Sequence, residues 1–161
     1  LPQTCHQISP DFLSRTADTS YKHVLMREAL RGIGISSIMV TDVVAVPPDI
    51  TLSELIDSYL LRHHYTAYPV VESGRPLGVI SVGLVKRVPR ATWRSTTVRE
   101  AMQPVSEEIA LSPDDALPEA MHKMSVSGLS KLLVIEDEEL VGVVTKRDIA
   151  TYLQIRSDLS R

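Results

Sequence analysis

The sequence says nearly the same thing twice. The segments "IMVTDVVAVPPDITLSELI" and "YPVVESGRPLGVISVGLV" align with "AMQPVSEEIALSPDDALPEAM" and "LLVIEDEELVGVVTKRDI". Met39 then matches Met102, Pro48-Asp49 matches Pro113-Asp114, and Pro69-Val70-Val71 matches Leu133-Val134-Ile135. Gly78 matches Gly142, and Ser81 matches Thr145. The offset stays between 63 and 65, so insertions of about a residue account for the drift. A repeat of this period means that one supersecondary unit is used twice.

Each copy reads as β-α-β-β-α. A short strand (residues 43–46; 108–111) precedes a helix (52–62; 116–125). Helical spacing of Leu52, Leu55, Ile56, Tyr59 and Leu60, and of Leu117, Ala120, Met121 and Met124, gives each helix one apolar face. Two apolar runs split by a turn then read as a hairpin, around residues 72–75 and 136–139. A second helix closes each copy (82–88; 146–155). A unit of about 55 residues buries only roughly 60% of its unfolded surface, so neither copy is expected to stand alone. The expected fold is α+β: two packed copies related by a pseudo-twofold axis, with a cleft between them of the kind that holds ligands. The boundaries read as leader and N-terminal helix 1–33, first copy 34–88, linker 89–96 and second copy 97–156. The helix before the first copy spans residues 19–31.

Ser or Thr followed three residues later by an acid, the capping-box pattern, recurs before apolar helices, as in Thr51/Glu54, Ser112/Asp115 and Thr145/Asp148. The third follows directly on a strand. That places Thr145 at a helix N-terminus, where free N–H groups and the helix dipole suit phosphate. Asp148 could accept both hydroxyls of a ribose, while Lys146 and Arg147 could supply phosphate charge. The alternative is a cap and nothing more. The first copy has Ser81 but puts Leu84 where Asp148 stands, so any nucleoside site should be asymmetric, with Ser81 and Leu84 marking a degenerate one.

The linker region carries Lys86, Arg87, Arg90, Arg94 and Arg99. It reads as a solvated connection, or as an anion-facing strap across the cleft, with Trp93 burying its ring to anchor it. A net charge of −3 gives no reason to expect nucleic-acid binding. No run approaches the ~18 apolar residues of a membrane span. Cys5 is the one cysteine, so no internal disulfide is possible and a reducing, cytoplasmic setting is expected. His63, His64, His122 and the Cys5-His6 pair lack ligand spacing for a metal. Met102, Met121 and Met124 read as packing. No nucleophile elbow and no Walker loop occurs.

The doubled unit resembles a pair of CBS domains, a Bateman module. Residues 142–149, "GVVTKRDI", are similar to that family's G-h-x-[ST]-x-x-D signature, and the two hairpins and the opening segment "IMVTDVVAVPPDITLSELI" resemble its other parts. The resemblance covers residues 34–155. It implies a regulatory module rather than an enzyme, with no required cofactor. The implied ligand is adenosine-containing (AMP, ADP, ATP or S-adenosylmethionine), and a homodimer is implied as well. Carried over by position, Thr145 and Asp148 are phosphate or ribose contacts, and Val105, Ile109 and Leu132 line the base pocket. The segments "SYKHVLMREALRGIGISSIM" and "VPRATWRSTTVREAM" are further similar to the CBS segment of site-2-type intramembrane zinc proteases. That similarity implies a membrane-embedded catalytic domain in cis. The HExxH zinc motif of such enzymes is absent here. A structural or dimerisation module with decayed sites is the alternative.

Overall fold

The computed structural model describes residues 30–160. Of the expected N-terminal helix only Leu30 and Arg31 are described, and both are helical; the rest of it, with the leader and Cys5-His6, lies outside the described residues.

The first copy opens with a 3-10 turn, Ile35–Ser37. Helix α1 (residues 52–63) follows. Thr51 caps it by accepting from the Glu54 N–H at 3.2 Å, as its box pattern predicts. It is not uniformly α-helical: an α turn at Leu52–Leu55 gives way to a π-helical stretch, Ile56–Leu60, and a last α turn, Leu61–His63. His64 ends it in the left-handed region (φ 61°). Strands β1 (Ala67–Glu72) and β2 (Arg75–Ser81) form the expected hairpin, and the short helix α2 (Val82–Lys86) leaves it. After a 3-10 turn at Arg90–Thr92, the second copy opens with helix α3 (Val98–Ala101) and strand β3 (Gln103–Pro104). Then come β4 (Ala110–Leu111), α4 (Leu117–Ser127), β5 (Lys131–Glu136), β6 (Glu139–Thr145) and α5 (Lys146–Leu159).

The two hairpins are alike to the register. Ala67 pairs with Ser81 as Lys131 pairs with Thr145, and both β1 and β5 carry a bulge at the same place, after Val70 and after Val134. Both turns have two residues at positive φ, as a twisted two-residue hairpin needs: Ser73 and Gly74 in the first, Asp137 and Glu138 in the second. The opening strand expected at residues 43–46 shrinks to a single parallel bridge, Val46 with Val70, which matches the β4–β5 pairing of the second copy.

The copies exchange their opening segments. Strand β3, from the second copy, pairs with β2 of the first, giving sheet order β1-β2-β3. Reciprocally, Val40 of the first copy pairs with Val143 on β6. The exchange continues at the helix starts: Ile35 N–H donates to Asp115 O at 2.8 Å and Leu117 N–H to Ile33 O at 2.9 Å. Val98 N–H likewise donates to Ile50 O, and Leu52 N–H to Thr96 O, both at 2.9 Å. The cores follow suit. Ile33, Ile35 and Ile38 are buried with Leu117, Leu133 and Val144 of the second copy, whereas Val98 is buried with Leu52, Leu55 and Ile80 of the first. Each three-dimensional unit is therefore the body of one copy plus the opening segment of the other.

This crossing explains the repeated glycine. A Cβ on Gly78 would run into the backbone carbonyl of Gln103, and one on Gly142 would lie 2.9 Å from Val40 O. Both positions need a residue without a side chain because the other copy's opening strand passes over them.

The linker does not span the cleft. Trp93 donates Nε1–H to Val88 O at 2.9 Å and packs on the first copy's core, while its carbonyl accepts from Ser53 N–H. Arg90 lies over the Trp93 ring, and Arg99 pairs with Glu72 at 2.8 Å and Asp49 at 3.6 Å. The anchoring role expected of Trp93 is met, and the strap reading is not. Ser112 and Asp115 also differ from expectation. Asp115 accepts from Ser112 N–H at 2.8 Å, but the N-cap of α4 is Ala116, with no side-chain bond, so that pair closes a turn ahead of the helix. Met124 is buried as expected, whereas Met121 is 40% exposed.

Candidate functional site

The β6–α5 junction is built as the sequence predicts. Strand β6 runs buried through Gly142-Val143-Val144 and delivers Thr145 as the N-cap of α5. Thr145 Oγ1 accepts from Asp148 N–H at 3.0 Å and donates to Asp148 Oδ2 at 2.6 Å. Asp148 Oδ2 also accepts from Thr145 N–H at 3.3 Å, which completes the capping box. The cap is thus real. It engages one carboxylate oxygen, since the bonds to Asp148 among the described residues all fall on Oδ2.

The same four residues, Thr145 to Asp148, line a cleft of about 590 Å³. Its opposite wall comes from the first copy: Asp42, Val43 and Val44 of the opening segment, and His64 to Ala67 between α1 and β1. Val40, Val143, Ser130 and Lys131 complete it. The cleft lies between the copies, as expected, and within the size range of small-molecule sites.

Lys131 is the most constrained polar side chain there. It donates Nζ–H to Ala67 O at 2.8 Å, bridging the copies. Its ammonium lies 5.1 Å from the Tyr65 ring centre and 5.6 Å from that of Tyr68, a cation–π geometry. Burial pushes the Lys131 amine below the ordinary lysine value, and the Asp148 carboxylate partly restores it. The rings are fixed in turn. Tyr68 donates its hydroxyl to Tyr59 O at 2.8 Å, its pKa raised by burial, and Tyr65 meets it edge-on with centroids 5.9 Å apart.

Of the site residues read from the sequence, Thr145, Lys146, Arg147 and Asp148 are brought together at the cleft. Val105, Ile109 and Leu132 are not among its lining residues. Ile109 and Leu132 are fully buried in the second copy's core, and Val105 donates its N–H to Leu77 O beside β2. The physical reasons are specific. The opening segments cross, so the one facing Asp148 is residues 42–44 rather than 105–109. On strand β5 successive side chains alternate, so Lys131 faces the cleft and Leu132 the core. Sequence reasoning missed Asp42 to Val44, Tyr65 and Lys131. The paired glycines held a clue to the crossing, and Lys131, a lone cation heading an apolar strand, held another.

At the matching place in the first copy, Ser81 caps α2 by accepting from Leu84 N–H at 3.2 Å, and Leu84 packs against the first copy's core. The acid's position has been given to apolar packing. The three residues after the cap are Val82, Gly83 and Leu84, where the second copy has Lys146, Arg147 and Asp148.

Among the described residues, no group of His, Cys, Asp and Glu could hold a metal ion, and no helix is long and apolar enough to cross a membrane.

Comparison with known proteins bears on this arrangement. The chain is 29% identical over 139 residues to a zinc metalloprotease of Methanocaldococcus jannaschii, covering 86% of this chain and 38% of that protein. It therefore spans well under half the length of that relative. Among solved structures it is similar to the CBS domain of a bacterial CNNM/CorC family Mg2+ transporter in complex with ATP (TM-score 0.68, 18% identity, 84% of this chain and 97% of that one). It is also similar to the CBS domain pair of protein MJ0100 in complex with 5-methylthioadenosine and S-adenosylmethionine (TM-score 0.65, 22% identity, 76% and 97%). Residues 35–90 and 98–155 each match the CBS domain family. The chain belongs to that family, as a tandem pair of CBS domains.

Proposed function

We propose that this CBS pair is a regulatory module that binds one adenosine-containing ligand in the cleft at Thr145–Asp148 and passes its occupancy to an attached domain. The observation that carries the reading is the shared cleft, which joins a helix N-terminus, three cations and an acid from the second copy to the opening segment of the first. A ligand there touches both copies. It can bias their relative arrangement to the extent that it binds one arrangement better than another. Asp148 Oδ1 and the Thr145 end of α5 are the groups for ribose and phosphate, with Lys146 and Arg147 at the rim. AMP, ADP, ATP and S-adenosylmethionine are the candidate ligands; ATP and S-adenosylmethionine are named in the two structural neighbours. The likeness to a zinc metalloprotease supports a protease as the regulated domain, with this module on the cytoplasmic side of a membrane.

A ligand that binds only the folded chain raises its stability by RT ln(1 + [L]/Kd), about 2.7 kcal/mol at a hundredfold excess over Kd. Thermal unfolding with each of the four compounds therefore tests the reading. A dose-dependent rise in Tm with at least one supports it, and none with any of the four refutes it.

One observation favours a second reading. Both reciprocal bonds of the capping box are made within the chain, which a purely structural or dimerising module requires. Leu61 on α1 and Val126 on α4 are 65% and 59% exposed and give such a module an apolar surface for a second copy. Light scattering of the purified chain distinguishes a homodimer from a monomer.

A further inference from the structure

Building on the cleft as an adenosine-ligand site, we propose that Lys131 is its charge filter. In this role Lys131 makes the site take an anionic ligand, an adenine nucleotide, in preference to the cationic sulfonium of S-adenosylmethionine. Three observations converge. First, Lys131 is a half-buried cation on the cleft wall that Asp148 compensates only in part. Among the described residues no carboxylate lies within ion-pair distance of it, whereas the half-buried Lys123 has Glu119 at 3.9 Å. Its substitutes for water are one carbonyl, Ala67 O, and two tyrosine rings. Second, Asp148, the acid whose charge reaches Lys131, makes its own hydrogen bonds through Oδ2 to Thr145 rather than to Lys131. Third, the lining carries Lys131, Lys146 and Arg147 against Asp42 and Asp148, one cation more than acids.

A desolvated ammonium with imperfect compensation gains from a neighbouring anion and loses from a second cation. Its lowered pKa reports the same deficit. In the hairpin register the first-copy residue matching Lys131 is Ala67, whose carbonyl accepts from Lys131 in this same cleft. The cation and the acid are present together in one copy and missing together from the other.

The test is calorimetric titration of the parent chain, Lys131→Met and Lys131→Arg with ATP, adenosine, S-adenosylmethionine and pyrophosphate. The filter predicts that the parent prefers ATP to S-adenosylmethionine by at least about tenfold, the scale of one charge-assisted contact. It predicts that Lys131→Met loses this preference with adenosine affinity unchanged, and that Lys131→Arg restores it. Equal weakening of all adenosine compounds in Lys131→Met, or an unchanged preference, overturns the filter and leaves the adenosine reading standing. If no adenosine compound binds the parent, the adenosine reading falls, and pyrophosphate alone decides the filter: binding that requires Lys131 sustains it, and no binding overturns it.

Discussion

The two copies share their hairpin register, their bulge, their glycine and their reciprocal opening strands, yet their cleft ends have diverged. Ala67, Ser81, Val82, Gly83 and Leu84 in the first copy stand where the second has Lys131, Thr145, Lys146, Arg147 and Asp148. What the copies keep in common is what the fold requires: a residue without Cβ under the crossing strand, a hydroxyl to cap the last helix, and buried apolar runs along both hairpin strands. The residues in which they differ can change without disturbing that frame. The first copy has turned its position 84 into core, and the second has gathered charge around a cavity. Divergence inside a repeat thus separates the residues that hold the structure from those that shape the cleft.

The largest effects should come from what is shared. Alanine at Gly78 must push the Gln103 backbone aside, and overpacking of this kind costs about 1–3 kcal/mol or more. Gly142→Ala meets Val40 O at 2.9 Å and the Met39 side chain, which can give way, so it should cost less. Urea unfolding of both variants should rank Gly78→Ala as the more damaging; equal and negligible losses would break the claim that the crossing strands demand glycine.

Next come the caps. Thr145→Ala removes the cap of a 14-residue helix and should cost about 1–2 kcal/mol, against about 0.5 kcal/mol for Ser81→Ala on the five-residue α2. Denaturation midpoints measure both.

Lys131→Met should instead raise the unfolding temperature at pH 7. The group's amine is held below its unfolded value of 10.5, so in the window just beneath 10.5 the unfolded chain binds more protons and stability rises with pH. Below that window the charged lysine costs the native state its full desolvation. The advantage of Lys131→Met should therefore shrink as pH climbs toward 10.5. Tyr68, whose pKa is raised from 10.0, works in the opposite direction in the parent and the variant alike, so their difference isolates Lys131. A loss of stability in Lys131→Met would make the lysine a structural strut.

The smallest effect distinguishes the turns. Glu138 holds φ 65° without being glycine, where its first-copy counterpart is Gly74. Glu138→Gly should gain a few tenths of a kcal/mol, the residue of about 1 kcal/mol of left-handed strain less the entropy glycine loses on folding. Thermal unfolding checks the sign.

Much of this was written in the chain. Periodicity at Leu52, Leu55 and Leu117, Ala120, Met124 marks the buried helix faces, and two apolar runs split by the polar turn in "LLVIEDEELVGVV" give the hairpin. The Thr145/Asp148 box is local in sequence and so fully legible. What was not legible is non-local. Nothing in residues 98–104 says that they pair with β2 rather than with their own copy's sheet, and the family resemblance, which assigns Val105 and Ile109 to the base pocket, does not point to Asp42 to Val44 as the wall facing Asp148. The single-residue register that sends Lys131 to the cleft and Leu132 to the core is likewise fixed only once the hairpin is built. The π-helical stretch within α1 leaves no mark in its apolar spacing.

The central claim is that one cleft of the two is a working site, and that Asp148 makes it so. The most direct test is a calorimetric titration of ATP into the parent chain, Asp148→Ala and Leu84→Ala, with unfolding followed in parallel. The account predicts one site per chain, abolished in Asp148→Ala with a stability loss of no more than about 1 kcal/mol, and retained in Leu84→Ala. Two equivalent sites per chain, or ATP binding that survives Asp148→Ala, would contradict it.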